Sequence, residues 1–312
     1  MVLLRRLISA VILLGSVALL LYVLPCLVSV LVLMALSTLG LLEFYGILKN
    51  SGIPAFRNLG IAAGLAFILA TCLATNASGV GWQRSAALDE LPELVLTIVV
   101  FAFCVRQFPQ KNNPQPLATI ACTMLGIMYV PFLLSFVVLL AFKWSHVAWT
   151  DPMGQTARLL LMYLIVVVKA SDTGAYFVGS TFGRHKLFPR ISPGKTWEGL
   201  AGGLAAGILA SLVFYWLMPR ATLVDRAVFG NLTLAFRDAW ILGALLACIG
   251  VVGDLVESLL KRSAGLKDSG HLLPGMGGIL DVLDSLLFAA PALYFYLRWF
   301  ASGSLTHPFL AP

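Results

Sequence analysis

Gly253–Ser285 reads GDLVESLLKRSAGLKDSGHLLPGMGGILDVLDS and joins two long apolar runs, 239–260 and 278–300. Each run meets the roughly 20 apolar residues that a helix needs to cross a bilayer. Read as helix, the first places Asp254, Ser258 and Lys261 at i, i+4 and i+7 along one stripe, with Glu257 beside it. The second places Asp281, Asp284 and Ser285 at i, i+3 and i+4. A carboxylate inside such a run costs on the order of 3 kcal/mol on insertion scales, so it lines a cavity or meets a partner. The connecting segment is basic and glycine-rich, with Lys261, Arg262, Lys267, Asp268, Gly270, His271, Gly275, Gly277 and Gly278. Carboxylates facing a cluster of cations suit a divalent metal together with phosphate. The plainer reading is a set of ion pairs that only hold helices together. So many acids, bases and glycines in one 33-residue window of an apolar chain count against it, least of all for Glu257.

The rest of the chain supports the membrane assignment. Of 312 residues, 60% are hydrophobic and 11% charged, and the mean hydropathy is +0.93. An ordinary soluble domain is about 25% charged. The net charge of +7 is spread over loops, with no Lys/Arg run and no interleaved aromatic platform for nucleic acid. The five cysteines stand singly in apolar runs, without metal spacing or a disulfide pattern. Arg5 and Arg6 precede an apolar run that has no clear cleavage site and is read as a retained first helix.

Apolar runs predict about nine transmembrane helices, near 7–23, 25–47, 57–75, 91–106, 117–142, 158–178, 199–218, 239–260 and 278–300. The expected fold is an all-α, polytopic integral membrane protein forming one domain over 1–312. Within it, 1–150 is an N-terminal helical region and 158–300 carries the catalytic helices and loops. Pro131 makes 117–142 either one kinked helix or a re-entrant pair. In a nine-span arrangement thirteen Lys/Arg fall on the side of the N-terminus and seven opposite, with Lys169 inside a span. By the positive-inside rule this expects the N-terminus in the cytoplasm, with the loops 179–198 and 261–277 on the same face.

The second of those loops is also chemically loaded. Ser171–Gly199 reads SDTGAYFVGSTFGRHKLFPRISPGKTWEG. Asp172 is an intramembrane or interfacial acid, and Gly179 and Gly183 can let backbone approach a ligand. Arg184, Lys186, Arg190 and Lys195 add cations, and Ser192 and Thr196 can donate to phosphate oxygens. Topology alone requires the charge but not the turn chemistry of Ser192–Thr196 followed by Glu198 and Gly199. The segment lacks the GxxxxGK[ST] of a P-loop.

Here the chain resembles a known family. Ser258, Lys261, Arg262, Lys267, Asp268, Pro274, Gly277, Gly278, Asp281 and Asp284 are similar to the signature of the phosphatidate cytidylyltransferase (CDP-diacylglycerol synthase) family, S-x-x-K-R-x4-K-D, then P-x-H-G-G, then D-R-x-D. Upstream, Asp172, Thr173, Ala175, Tyr176, Ser192, Pro193, Lys195, Thr196, Glu198 and Gly199 resemble the family's DTxAY and SPxKTxEG region. Two departures stand out: Met276 replaces the histidine before Gly-Gly, and Val282 replaces the arginine between the late aspartates. His271 is a candidate stand-in for the missing histidine.

The resemblance implies transfer of a cytidylyl group from CTP to phosphatidate, giving CDP-diacylglycerol and pyrophosphate, with Mg²⁺ and a monovalent cation such as K⁺. It implies CTP, phosphatidic acid and membrane lipid as partners, leaves room for a homodimer, and places the protein in the bacterial cytoplasmic membrane. On the matched positions it implies Asp254 and Asp281 as metal ligands, with Asp284 next and also catalytic. Lys261, Arg262 and Lys267 would hold the triphosphate and the leaving pyrophosphate. Ser258 would bond a phosphate oxygen, and Asp268 would orient a lysine or a metal-bound water. Ser192 and Lys195 would contact substrate phosphates, and Asp172 would be a substrate-side or structural acid. Phosphatidate is itself an anionic nucleophile, so no covalent intermediate and no Ser-His-Asp arrangement is expected. Rival readings are an anion transporter, a CTP-dependent lipid kinase resembling dolichol kinase, and an inactive homologue. Flux without CTP, CDP as product, or nucleotide binding without turnover would mark each.

Overall fold

A computed structural model describes residues 26–75, 86–110, 113–142, 155–218, 226–229, 232–270 and 277–301. The expected span 7–23, and with it His271, Pro274 and Met276, lies outside the described residues. The helices are α1 (Cys26–Asn50), α2 (Arg57–Ala74), the single turn α3 (Ala86–Asp89), α4 (Leu91–Gln107), α5 (Pro116–Ile127), α6 (Leu133–Phe142), α7 (Gln155–Phe182), α8 (Trp197–Leu217), α9 (Phe236–Ser263) and α10 (Ile279–Tyr296). Two antiparallel hairpins interrupt them, β1 (Lys186–Phe188) with β2 (Ser192–Thr196) and β3 (Arg226–Phe229) with β4 (Leu232–Ala235).

Among the described residues seven helices are long and apolar enough to cross a membrane, against about nine expected. The run at 91–106 is a helix of only 17 residues. Pro131 does not make a re-entrant pair. A π turn at Met128–Phe132 takes up the proline, whose missing N–H and ring would break a regular turn, and α5 continues into α6. The two hairpins amend the all-α expectation, and in one of them Ser192–Thr196, read as a turn-rich loop, is an edge strand. Its Pro193 is tolerated because the strand has a neighbour on one side only.

In lipid, helices associate by close packing and polar contacts rather than by escape from water. Gly199, Gly203 and Gly207 recur every four residues on α8. A Cβ at Gly203 would lie 3.0 Å from Ala175 Cβ on α7, and one at Gly207 would lie 2.9 Å from Ala247 Cβ on α9. The three backbones therefore run close together. Ser211 ties the same trio, facing the Tyr163 hydroxyl at 2.7 Å and donating to the Ala239 carbonyl at 2.6 Å. α10 packs on α9, α6 and α7, and α1 crosses α10 near its start. Leu41, Leu134, Leu160, Val167, Leu242, Leu280 and Leu293 fill the shared core. Phe101, Leu209, Trp216 and Ile241 stay exposed, as suits surfaces bathed in acyl chains.

Candidate active site

α9 and α10 bring the first loaded stretch together. At 28 residues α9 is about 42 Å long, well beyond the roughly 30 Å hydrocarbon core, so its C-terminal turns reach toward the head groups. It ends in a Schellman motif: Leu266 N–H donates to Lys261 O (2.9 Å) and Gly265 N–H to Arg262 O (3.1 Å), with Gly265 at φ +68°. Gly253 sets the distance to α10. A Cβ there would fall on the Asp284 carbonyl oxygen and 3.2 Å from Phe288 Cδ2. With only hydrogen in that place, Asp254 on the next residue stands beside Asp284.

The result is a group of three carboxylates, Asp254, Glu257 and Asp284, with one oxygen of each within 4.8 Å of the others. Glu257 is 1% exposed and Asp284 7%. Lys261, one turn after Glu257, is held 2.6 Å from Glu257 Oε2 and also contacts Asp281 Oδ1. Asp281 stands next to the three, joined to Glu257 through Lys261. Its other oxygen accepts from Gly278 N (2.7 Å), Ser269 N (3.1 Å) and Ser269 Oγ (2.9 Å). Of the expected Asp254, Asp281 and Asp284, the structure brings Asp254 and Asp284 within reach of each other, with Glu257 as the third carboxylate of the group. The spacing could not separate Glu257 from Asp281. Both lie near the polar stripes, and only packing shows that Lys261 engages both while Asp281 alone accepts from Gly278 N before α10.

The second loaded stretch reaches the same place. Lys195 Nζ lies 2.8 Å from Asp254 Oδ2 and donates to Val251 O at 3.3 Å. Ser258 Oγ donates to Asp254 Oδ1 at 3.3 Å. Arg262 Nε donates to Ile191 O at 3.4 Å and Nη1 to Leu266 O at 3.1 Å, tying the hairpin to the end of α9. Thr196 Oγ1 caps α8 by accepting from Gly199 N at 3.1 Å. Glu198 accepts from Arg184 N (3.1 Å) and His185 N (3.2 Å). This half of the motif shapes the turn that aims Lys195. Gly179 and Gly183, which could let backbone approach a ligand, lie against the start of α8, Gly179 at Thr196 and Gly199 and Gly183 at Thr196. Ser192 is half-buried on β2 opposite Phe188, while Lys267 and Asp268 are exposed at the end of α9.

Asp172 pairs with Lys169 one turn away (3.3 Å), and Lys169 Nζ also donates to Val282 O at 3.4 Å. A cation from α7 therefore stands at the position where the resemblance leads one to expect an arginine on α10. The sequence reading also missed Glu43. Its carboxylate, 8% exposed, accepts from Ile279 N and Leu280 N at 2.9 Å each, and it shares the one Ser269 hydroxyl proton with Asp281, its oxygen lying 3.0 Å from Ser269 Oγ. A negative charge at those free N–H groups satisfies the start of α10 and its dipole. A Cβ at Gly270 or Gly278 would run into this carboxylate. Glu43 lies over 200 residues from its partners in the chain, so its only local signal is an acid within an apolar run.

The three-carboxylate group fits a divalent cation. All its donors are oxygens, as Mg²⁺ prefers, and buried Glu257 Oε1 has no hydrogen-bond partner. Lysines on two sides, Lys195 and Lys261, would serve phosphates at the same spot.

Fold and site together define a helical protein with seven candidate membrane spans among the described residues and a polar cluster where its two motif stretches meet. The chain belongs to the Cytidylyltransferase family, which it matches over residues 4–300. It is similar to the phosphatidate cytidylyltransferase of Haemophilus influenzae, 43% identical over 138 residues, which are 44% of this chain and 45% of that one. The protein of the same name from Bacillus subtilis is 40% identical over 149 residues, 48% of this chain and 51% of the relative. An uncharacterized protein of Escherichia coli, YnbB, is 38% identical over 167 residues, 52% and 51% of the two chains. In each case the matched stretch spans about half the length of the relative.

Proposed function

We propose that this protein transfers the cytidylyl group of CTP to phosphatidate, releasing pyrophosphate and leaving CDP-diacylglycerol in the membrane. The observation that carries the proposal is the meeting of Lys195 and Asp254. It joins both motif stretches, 56 residues apart at the Lys195–Val251 contact, around one group of three carboxylates. Family membership and the names of the relatives support the same reading.

Two polyanions must meet, so their repulsion has to be offset before a lipid phosphate oxygen can attack the α-phosphorus. Asp254, Glu257 and Asp284 would hold Mg²⁺, which when bound supplies positive charge to the phosphate oxygens. Lys195 and Lys261 now sit on carboxylates. Shifting their ammonium groups onto the triphosphate and the leaving pyrophosphate needs only short movements of flexible stems. Arg262 keeps the hairpin and α9 in register, and Ser258 orients Asp254. Asp281 holds Lys261 in place. Lys267, Asp268 and Ser192, on the two loaded loops, would meet the nucleotide, with Asp172 setting Lys169. A site at the ends of α9 and α10 lets CTP arrive from water and phosphatidate from the bilayer. We place that face, with the N-terminus, on the cytoplasmic side of a bacterial membrane, as the Lys/Arg distribution favours.

The test is incubation of the purified, detergent-solubilised chain with labelled CTP, phosphatidate and Mg²⁺. CDP-diacylglycerol and pyrophosphate appearing in equal amounts support the proposal. CDP with a phosphorylated lipid, or no product, overturns it.

A further inference from the structure

Tyr129 is a buried polar side chain to which neither the carboxylate group nor the lysines assign a task. It lies on the π turn Met128–Phe132, and its ring packs on Phe44 (centroids 5.8 Å apart) and Phe288 (6.1 Å). Phe44 adjoins Glu43, and Phe288 follows Asp284 by one helical turn toward the membrane interior. The next residue, Val130, would be touched by a Cβ at Gly40, which would also lie 3.4 Å from Leu280. Tyr129 is thus set between the cap of α10 and the carboxylates, on their apolar side. The residue is 6% exposed and its hydroxyl has no hydrogen-bond partner.

A buried hydroxyl without a partner weakens a fold, and in hydrocarbon no water relieves it. A π turn inside a helix is found disproportionately at working sites. Phenylalanine would fill the same space against Phe44 and Phe288 without that cost. The oxygen is therefore retained for something that arrives. The aqueous side of the acids already presents Lys195 and Lys261 for phosphates. On the apolar side stands a neutral donor in an aromatic wall. The part of a phospholipid that lies between phosphate and acyl chains is its glycerol backbone, whose ester carbonyls are neutral acceptors.

We propose that the Tyr129 hydroxyl binds the lipid substrate by donating a hydrogen bond to an ester carbonyl of its glycerol backbone. This rests on the reading of the chain as a CTP-dependent enzyme acting on phosphatidate. It adds the group that registers the lipid's depth, so that its phosphate stands at the carboxylates.

The full chain and Tyr129→Phe are assayed with diacyl phosphatidate and with its dialkyl-ether analogue, which lacks the carbonyls. With the diacyl lipid, Tyr129→Phe raises the KM for lipid about five- to tenfold, as loss of one hydrogen bond does. The KM for CTP stays within about twofold on the same scale. With the ether lipid the two proteins have equal KM. The melting temperature of Tyr129→Phe is unchanged or higher, because the orphan hydroxyl is gone. An unchanged KM for the diacyl lipid, an equal loss with both lipids, or a lower melting temperature with no KM change overturns the proposal. Absence of CTP-dependent product from the unaltered chain overturns the activity instead. Native mass spectrometry of the two proteins with each lipid then decides on Tyr129, by whether substitution weakens only diacyl binding.

Discussion

Glu257 and Asp281 show what side-chain partners decide. Both are acids on polar stripes of apolar helices, yet Lys261 joins one to the carboxylate group and holds the other at the start of α10. Their substitutions should therefore differ in kind. On the proposed assignment, Asp284→Asn and Glu257→Gln would remove donors from the cation, and each should raise the Mg²⁺ needed for half-maximal activity and lower kcat about 10²- to 10³-fold. Asp281→Asn loosens Lys261 and the Ser269 and Gly278 contacts at the start of α10, leaves Asp254, Glu257 and Asp284 in place, and should act chiefly on the KM for CTP, by about tenfold to a hundredfold. Titration of Mg²⁺ and CTP against initial rate separates the two patterns, and a common pattern would refute the division. A check apart from turnover is available: Mg²⁺ should raise the melting temperature of the unaltered chain and not that of Asp284→Asn, since an ion that bridges folded helices stabilises them by mass action. The positions of Asp254, Ser258, Lys261 and Asp284 were legible at this scale, because helical periodicity alone puts them on facing stripes. The part played by Glu257 was not, since its neighbours come from another helix.

At the scale of elements, the approach of α9 to α10 rests on a missing side chain. Gly253→Val would push the Asp284 carbonyl and Phe288 away and separate Asp254 from its partners. Overpacking of this kind costs about 1–3 kcal/mol. We expect a folded, less stable protein whose activity falls more than a hundredfold, measured as melting temperature and initial rate side by side. Near-normal activity would show that the helices can part without consequence. The cap of α10 makes a second prediction. Glu43→Gln leaves an amide where a carboxylate accepts two backbone N–H groups and the Ser269 hydroxyl. Charged acceptors at helix starts contribute about 0.5–2 kcal/mol, so stability should fall by that order. Asp281 and Asp284 lie in the first two turns of α10, so the KM for CTP should rise with it. Chemical denaturation and CTP titration check the pair. Pro131 belongs to this scale too: that it bends a helix follows from its ring, but that the bend is a π turn placing Tyr129 depends on what packs against it.

For the molecule as a whole, the two loaded loops share one face, joined through Lys195–Asp254 and Arg262–Ile191. Cysteines introduced at Lys186 and Ser263, in a background without the native cysteines, should both react with an impermeant maleimide from the same side of sealed vesicles. We expect that side to be the cytoplasmic one, and labelling from opposite sides would break the arrangement. Composition and the length of the apolar runs were enough to read a helical membrane protein, because a bilayer leaves the backbone few other choices. Motif spacing marked where the polar chemistry sits, because periodicity brings residues of one helix to one face. Tertiary structure alone decided that Glu257 completes the carboxylate group, that Glu43 and Lys169 serve the site from distant helices, and that the Ser192–Thr196 segment is a strand. Each of these depends on which backbone lies within about 3 Å of which side chain, and no spacing within one segment encodes a distance between two.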